Sequence, residues 1–291
     1  MRALTRVPLS TKALLGVSET LLIPLVARAD AHRRFPQLRF RDVYSELILQ
    51  ALDVNAARFR SDGGSMLGSC LRACWMERTA TQFLQEHPGA LGVSLGAGLD
   101  TLYMRLCDGP GDLCSRWYDV DLPPVIDLKR ELLTQTQRYH LLAADLLDPQ
   151  LLERLTWQPE QPAVFVIEGV LMYLQPAAVE ALLQRVFAAA SWRRSSIAVL
   201  FDFCSPFMAR HSHRHPSVRR TSAAAPGQQP FQWSLEHPRE LQWLHPDLQV
   251  RSVYDLMRDC GAGPRLVSWL HRRLTGRLFY GCAHVQIDPA S

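Results

Sequence analysis

The 291-residue sequence has no apolar run long enough to cross a bilayer, which takes about 20 residues. Leu21 to Val26 is apolar, but Pro24 breaks it and Arg28 and Asp30 close it. No secretory leader pattern opens the chain, and no repeat, heptad series or low-complexity tract follows. The seven cysteines include no CxxC pair. Their odd number and irregular spacing point to a reducing cytosol rather than a disulfide framework. Strong charge of one sign is also missing: the net +4 is spread along the chain and argues neither for nor against nucleic acid. A composition 47% hydrophobic and 21% charged suits a soluble globular protein with a substantial core. The length fits one large domain or a domain with an elaborated lid.

What the sequence does have is LGVSLGAGLD, residues 91–100. It reads as a buried strand, a tight turn at Gly96-Ala97-Gly98 and a helix start at Leu99-Asp100-Thr101. Glycine there lets the backbone approach a ligand closely, and a helix start offers free N–H groups to an anion. The third glycine of the dinucleotide fingerprint is missing, so the turn alone does not specify its ligand.

Residues 1–64 read as helical. One helix is predicted through LLIPLVARA, another from Asp42 through VYSELILQALD, and a long one over 66–86. These helices are expected to cover the sheet edge or roof the pocket. From Leu91 the pattern alternates. Strands are predicted at 91–96, 116–121, 139–145, 163–169 and 196–203. Helices are predicted at 101–107, 125–134, 149–155 and 176–190. Short apolar runs alternating with helical patterns mean βαβ units and a mostly parallel sheet. Residues 205–245, rich in Pro, His, Arg and Gln, interrupt the rhythm and read as an insertion over the sheet's C-terminal edge. A helix at 250–260, a turn at 261–264 and strands at 265–270 and 278–287 are then expected. The last two, a turn apart, form an antiparallel hairpin. The expected division is a helical cap over 1–88, a βα core over 89–204, a lid over 205–247 and a closing helix and hairpin over 248–291.

In an open α/β sheet, ligands sit at the C-terminal strand ends. Four ends here carry informative residues: Gly96-Ala97-Gly98, Asp119-Val120-Asp121, Asp145-Leu146 and Glu168-Gly169. Side chains alternate along a strand, so Asp119 and Asp121 share a face, and an acid there can accept both ribose hydroxyls. A single strand-end acid is as often a helix cap. Together the four outline a slot for an adenosine with a charged tail.

VSLGAGLDT, YDVDLPPVIDLKRELL, AADLLD and VIEGVLMYL, in this order and at these spacings, resemble the leucine carboxyl methyltransferase family. The likeness is to its bacterial, tetracenomycin-type polyketide O-methyltransferase branch, and the leading segment GVSETLLIPLVARA resembles that branch's N-terminal helix. The resemblance covers roughly residues 12–203. It implies the class I methyltransferase, Rossmann-like α/β fold: a mostly parallel seven-stranded sheet with a terminal antiparallel hairpin, extra N-terminal helices and a lid insertion. It implies S-adenosylmethionine as cofactor and S-adenosylhomocysteine as product. By resemblance Gly96, Ala97, Gly98 and Gly169 line the cofactor, Asp121 holds the ribose with Asp119 in support, and Asp145 and Leu146 flank the adenine. Glu168 meets the cofactor's amino group, and Arg72 and Lys12 meet its carboxylate. Tyr173 is the catalytic-site candidate, lining the place of methyl transfer.

Methyl transfer is an in-line displacement that chiefly needs alignment and exclusion of water. A carboxylate acceptor, with pKa about 4, needs no base, whereas a phenol, with pKa about 10, benefits from one. The expected reaction is O-methylation of a small-molecule carboxylate or phenol. The expected setting is cytoplasmic, as a monomer or homodimer, with no nucleic-acid, membrane or metal partner. Rival readings are methylation of a protein C-terminus, a silent cofactor-binding protein and a nucleotide oxidoreductase. His211, His213 and His215 read as a base over the pocket, a metal site or a polar lid surface. Trp233 and Trp243 read as packing or as substrate contacts, and Cys70 and Cys74 as small buried residues.

Overall fold

The computed structural model describes residues 8–11, 20–107, 113, 116–214 and 229–289. Lys12 and His215 lie outside the described residues. A two-stranded parallel pair, β1 (Leu9–Ser10) and β2 (Leu52–Asp53), ties the start of the chain to the end of the second helix. The cap consists of α1 (Leu22–Arg34), α2 (Val43–Ala51), a turn α3 (Ala57–Arg60) and the long α4 (Gly63–Glu86). Asp42 and Asp62 begin α2 and α4, their carboxylates accepting the N–H of Ser45 at 2.9 Å and of Ser65 at 3.1 Å. Side-chain caps of this kind satisfy orphan donors that a helix start leaves open.

Five parallel strands follow: β3 (Leu91–Leu95), β4 (Arg116–Asp121), β5 (Tyr139–Ala143), β6 (Ala163–Ile167) and β7 (Ile197–Cys204). Helices α5 (Leu102–Cys107), α6 (Pro123–Leu132) and α7 (Pro176–Arg193) connect them, with a 3-10 turn at Leu151–Arg154. Every residue of β3, β6 and β7 is buried, as expected of parallel strands covered on both faces. One face packs against α1, α4 and α6, the other against α7 and residues 233–248.

The C-terminal third departs from the sequence reading. After α8 (Pro206–Arg210) comes the edge strand β8 (Gln249–Asp255), whose residues 250–255 were expected as helix. A register shift between Val250 and Ser252 breaks the two-residue alternation that would have marked it as a strand. Residues 265–270, expected as strand, lie inside α9 (Ala262–Thr275). Pro264 sits in its first turn, and Gly276 caps its end with φ +73°. The final strand β9 (Tyr280–Ile287) runs antiparallel between β7 and β8. The closing pair is therefore antiparallel as expected, but α9 joins its strands in place of a tight turn.

The sheet order is β5-β4-β3-β6-β7-β9-β8. Strand succession reverses between β3 and β6, and that switch point opens a crevice at the C-terminal ends of these strands.

Candidate active site

A cavity of about 630 Å³ occupies this crevice. That is within the range of a small-molecule site, roughly 300–1,000 Å³. Of the residues singled out from the sequence, Arg72, Gly96, Ala97, Gly98, Asp121, Asp145, Leu146, Glu168, Gly169 and Tyr173 all line it. Thr20, Leu21, Ile23, Pro24 and Arg28 of the cap line it too, so α1 forms part of its wall.

Its floor is the turn after β3. Gly96 and Gly98 have φ of +70° and +49°, which side-chain-bearing residues resist. A Cβ on Gly96 would sit 2.4 Å from Val170 Cγ2. The N–H of Gly98 donates to Asp121 Oδ2 at 2.7 Å, and that of Leu122 donates to Asp121 Oδ1 at 2.7 Å. Burial raises the Asp121 pKa, and these two bonds oppose it. Each Asp121 oxygen keeps a lone pair for a further donor.

Asp119, two residues earlier and expected in support of Asp121, does not line the cavity and braces the strand from below. Its carboxylate is 3% exposed, accepts Trp117 Nε1 at 3.0 Å and Tyr139 Oη at 2.6 Å, and pairs with the buried Lys129 ammonium at 2.7 Å. Asp119 and Asp121 share a face of β4, but Asp119 lies one pleat deeper, where helix and sheet close over it.

The helix start after the turn is also not the open anion site expected of it. Asp100 lines the cavity there. Burial works against its charge, yet Arg105, at 3.2 Å, and Arg28, at 3.6 Å, hold its carboxyl well below the usual range. Asp42 anchors the same cluster, 3.0 Å from Arg105 and 3.3 Å from Arg28. Arg28 also donates to Leu99 O at 3.1 Å, so buried charge wires the cap to the glycine turn.

At the end of β6, Glu168 Oε1 accepts Arg72 Nε at 3.0 Å, while Oε2 is buried with no hydrogen-bond partner among the described residues. Burial raises the Glu168 pKa against the pull of Arg72. Arg72 Nη1 donates to Asp202 Oδ2 at 2.9 Å and to Tyr280 Oη at 2.7 Å, and Tyr280 donates in turn to Asp202. Asp202 Oδ1 accepts the Gly169 N–H at 2.6 Å, holding that glycine at φ +70°. Arg72 Nη2 lies over Gly169, 3.2 Å from where a Cβ would sit. Asp202 and Tyr280 were missed in the sequence. The available signal was a lone acid in the apolar run of β7.

Asp145, exposed at the end of β5, accepts the Leu147 N–H at 2.9 Å. Leu146 beside it is buried.

The far end of the cavity is apolar and aromatic. Met172, Tyr173, Phe207, Met208, Phe231 and Phe279 line it, with His211 and Arg214. Burial pushes the Tyr173 hydroxyl up to about 12, partly offset by its hydrogen bond with Thr20. Tyr173 therefore stays protonated near neutral pH. His211 Nδ1 lies 2.8 Å from Phe207 O, and since a carbonyl only accepts, Nδ1 is the donor. His213 is exposed. His237 begins the 3-10 turn Pro238–Leu244, and His245 approaches Ser191 Oγ at 3.3 Å. Among the described residues no cluster of three or more His, Cys, Asp or Glu could hold a metal. Trp233 is buried in the core and Trp243 is 65% exposed. Burial pushes the Cys70 and Cys74 thiols up to about 12, consistent with inert packing.

Comparison with known proteins agrees with this geometry. Two solved structures share the fold. A chain from Thermobifida fusca assigned provisionally as a methyltransferase has a TM-score of 0.59 at 16% identity, covering 96% of this chain and 97% of that one. A DUF574 family protein from Streptomyces avermitilis has a TM-score of 0.53 at 16% identity, covering 90% and 97%. The tetracenomycin polyketide synthesis O-methyltransferase of Streptomyces glaucescens is 31% identical over 247 residues, 85% of this chain and 86% of that one. An S-adenosyl-L-methionine-dependent methyltransferase of Gibberella zeae is 29% identical over 265 residues, 84% of each. The leucine carboxyl methyltransferase model matches residues 22–187. With the parallel sheet, its antiparallel last strand and the strand-end crevice, this match settles the lineage: the chain belongs to the leucine carboxyl methyltransferase family.

Proposed function

We propose that this chain is an S-adenosylmethionine-dependent O-methyltransferase acting on a carboxylate or phenolic oxygen of a small molecule. The observation that carries the reading is Glu168 Oε2, buried and without a hydrogen-bond partner among the described residues, in the wall of a cavity that also holds Asp121. A buried carboxylate oxygen left without a donor is costly unless a ligand supplies one. The α-ammonium of the cofactor is such a donor. In this reading Asp121 accepts the ribose hydroxyls, Asp145 and Leu146 flank the adenine, and the Arg72 Nη2 N–H groups hold the carboxylate. Lys12 is assigned with Arg72 on resemblance alone. S-adenosylmethionine supplies an electrophilic methyl group on a sulfonium sulfur. The chain's own residues align the acceptor oxygen with it and exclude water.

For a carboxylate acceptor no base is needed, and Arg214 offers the acceptor end of the cavity a cation. A phenolic acceptor is the second reading, and the His211 ring in the cavity wall favours it. Tyr173, protonated, orients the acceptor rather than removing its proton. We further assign the protein to the cytoplasm, acting on a small molecule rather than nucleic acid, as a monomer or homodimer. Among the described residues no helix is long and apolar enough to cross a membrane. Titration calorimetry with S-adenosylmethionine and S-adenosylhomocysteine tests the reading. Micromolar binding of both is expected, and no heat from either would overturn it.

A further inference from the structure

Helix α9 is amphipathic with its apolar side turned outward. At 100° per residue, Leu266, Val267, Leu270 and Leu274 fall on one stripe, with Trp269 at its edge. All five are exposed, Leu266 by 63%, Trp269 by 59% and Leu274 by 76%. The opposite side attaches the helix: Ser268 Oγ bonds the Asp255 carboxylate at 3.0 Å, and His271 packs edge-on against Phe279 at 5.4 Å. The helix contains Arg265, Arg272 and Arg273 and no acidic residue. Arg272 and Arg273 have no ion-pair partner among the described residues. Pro264 in its first turn lines the cavity, as do Phe279 and the half-exposed Phe207, so the helix adjoins the cavity rim.

We propose that α9 is an interfacial helix that seats the chain on an anionic lipid surface, with the cavity rim beside it. Leucines and a tryptophan on one side of a helix bordered by arginine, with no acid, match what an anionic headgroup layer binds. Arginine stems cover apolar surface while their heads reach phosphate. A second copy suits the face less well. Two copies meeting on α9 about a two-fold axis bring the arginines of both together with no acid on either helix to neutralise them. The helix is also a ridge, exposed on three sides, and a ridge enters a fluid interface without a matching groove. The expectation of no membrane partner rested on the lack of a spanning segment, which an interfacial helix does not need.

Co-sedimentation of the full chain with phosphatidylcholine vesicles, with and without phosphatidylglycerol, tests the proposal. Binding to the anionic vesicles that weakens with salt is expected. Arg272→Glu with Arg273→Glu should weaken it by about thirtyfold or more, and Leu270→Asp by at least about tenfold. Both variants should keep wild-type affinity for S-adenosylhomocysteine, which shows that they fold. Failure of the wild type to sediment with anionic vesicles would overturn the proposal, as would binding that survives both variants. A dimer in light scattering that Leu270→Asp dissociates would assign the face to a second copy and overturn it as well.

Discussion

The two ends of the cavity are built by different physics. At the strand-end side, Arg72, Asp121, Asp100 and Glu168 are each held by directional bonds or ion pairs to partly or fully buried partners. At the far side ring-on-ring contacts join the few hydrogen bonds: Tyr173 with Phe231 at 5.3 Å, Phe207 with His211 at 4.3 Å and Phe207 with Phe279 at 6.1 Å. Directional bonds fix atoms to fractions of an ångström, whereas apolar contacts tolerate exchange of shape. An invariant cofactor is served by the first kind of wall and a variable acceptor by the second. Fold and cofactor chemistry can thus be shared across a family whose acceptors differ.

The sharpest way to break the comparison uses two aspartates of β4. Asp119→Ala leaves the Lys129 ammonium buried and unpaired and removes the acceptor for Tyr139 and one of two acceptors for Trp117. A loss of about 3–5 kcal/mol of folding stability is expected, read by denaturant unfolding. The affinity of the remaining folded protein for S-adenosylhomocysteine should change little. Asp121→Ala should do the reverse, weakening that affinity by about a hundredfold with little change in stability, because water can replace it at the cavity wall. If the stability loss fell on Asp121 and the affinity loss on Asp119, brace and clamp would be exchanged.

That pair also shows how far the sequence could be read. Alternation along a strand correctly placed both acids on one face, but depth along the strand depends on which helix closes over it, and that is a tertiary fact. Strands β3 to β7 were legible to within about two residues because burial on both faces demands unbroken apolar runs. The roof over the cavity was legible in outline, through the Asp42 cap and the apolar pattern of α1. Arg72 was found by resemblance, but its partners Asp202 and Tyr280 come from strands 130 and 208 residues further along the chain. The C-terminal third misled because β8 is an edge strand with an irregular register, and because α9 turns apolar residues outward. A rule that apolar means inward reads such a helix as a buried strand.

A second test sharpens the comparison at the aromatic end. If the acceptor is a phenol, His211→Gln should lower kcat/KM by about a hundredfold or more. If the acceptor is a carboxylate, already ionised, the same variant should leave kcat/KM nearly unchanged. Cofactor affinity should be unchanged in either case, since His211 lies among the aromatic residues and not in the ion-paired network.

The smallest effect is expected from Phe207→Ala. The ring is 48% exposed, so its removal opens little buried space and should cost the fold little. It does remove apolar area from the acceptor wall and from under the His211 ring. A rise in acceptor KM of about fivefold, near 1 kcal/mol, is expected with kcat nearly constant and S-adenosylhomocysteine affinity unchanged. An equal loss of cofactor affinity would show that the two ends are coupled through α8. The division between a fixed wall and an adaptable one would then fail at the place where it should be cleanest.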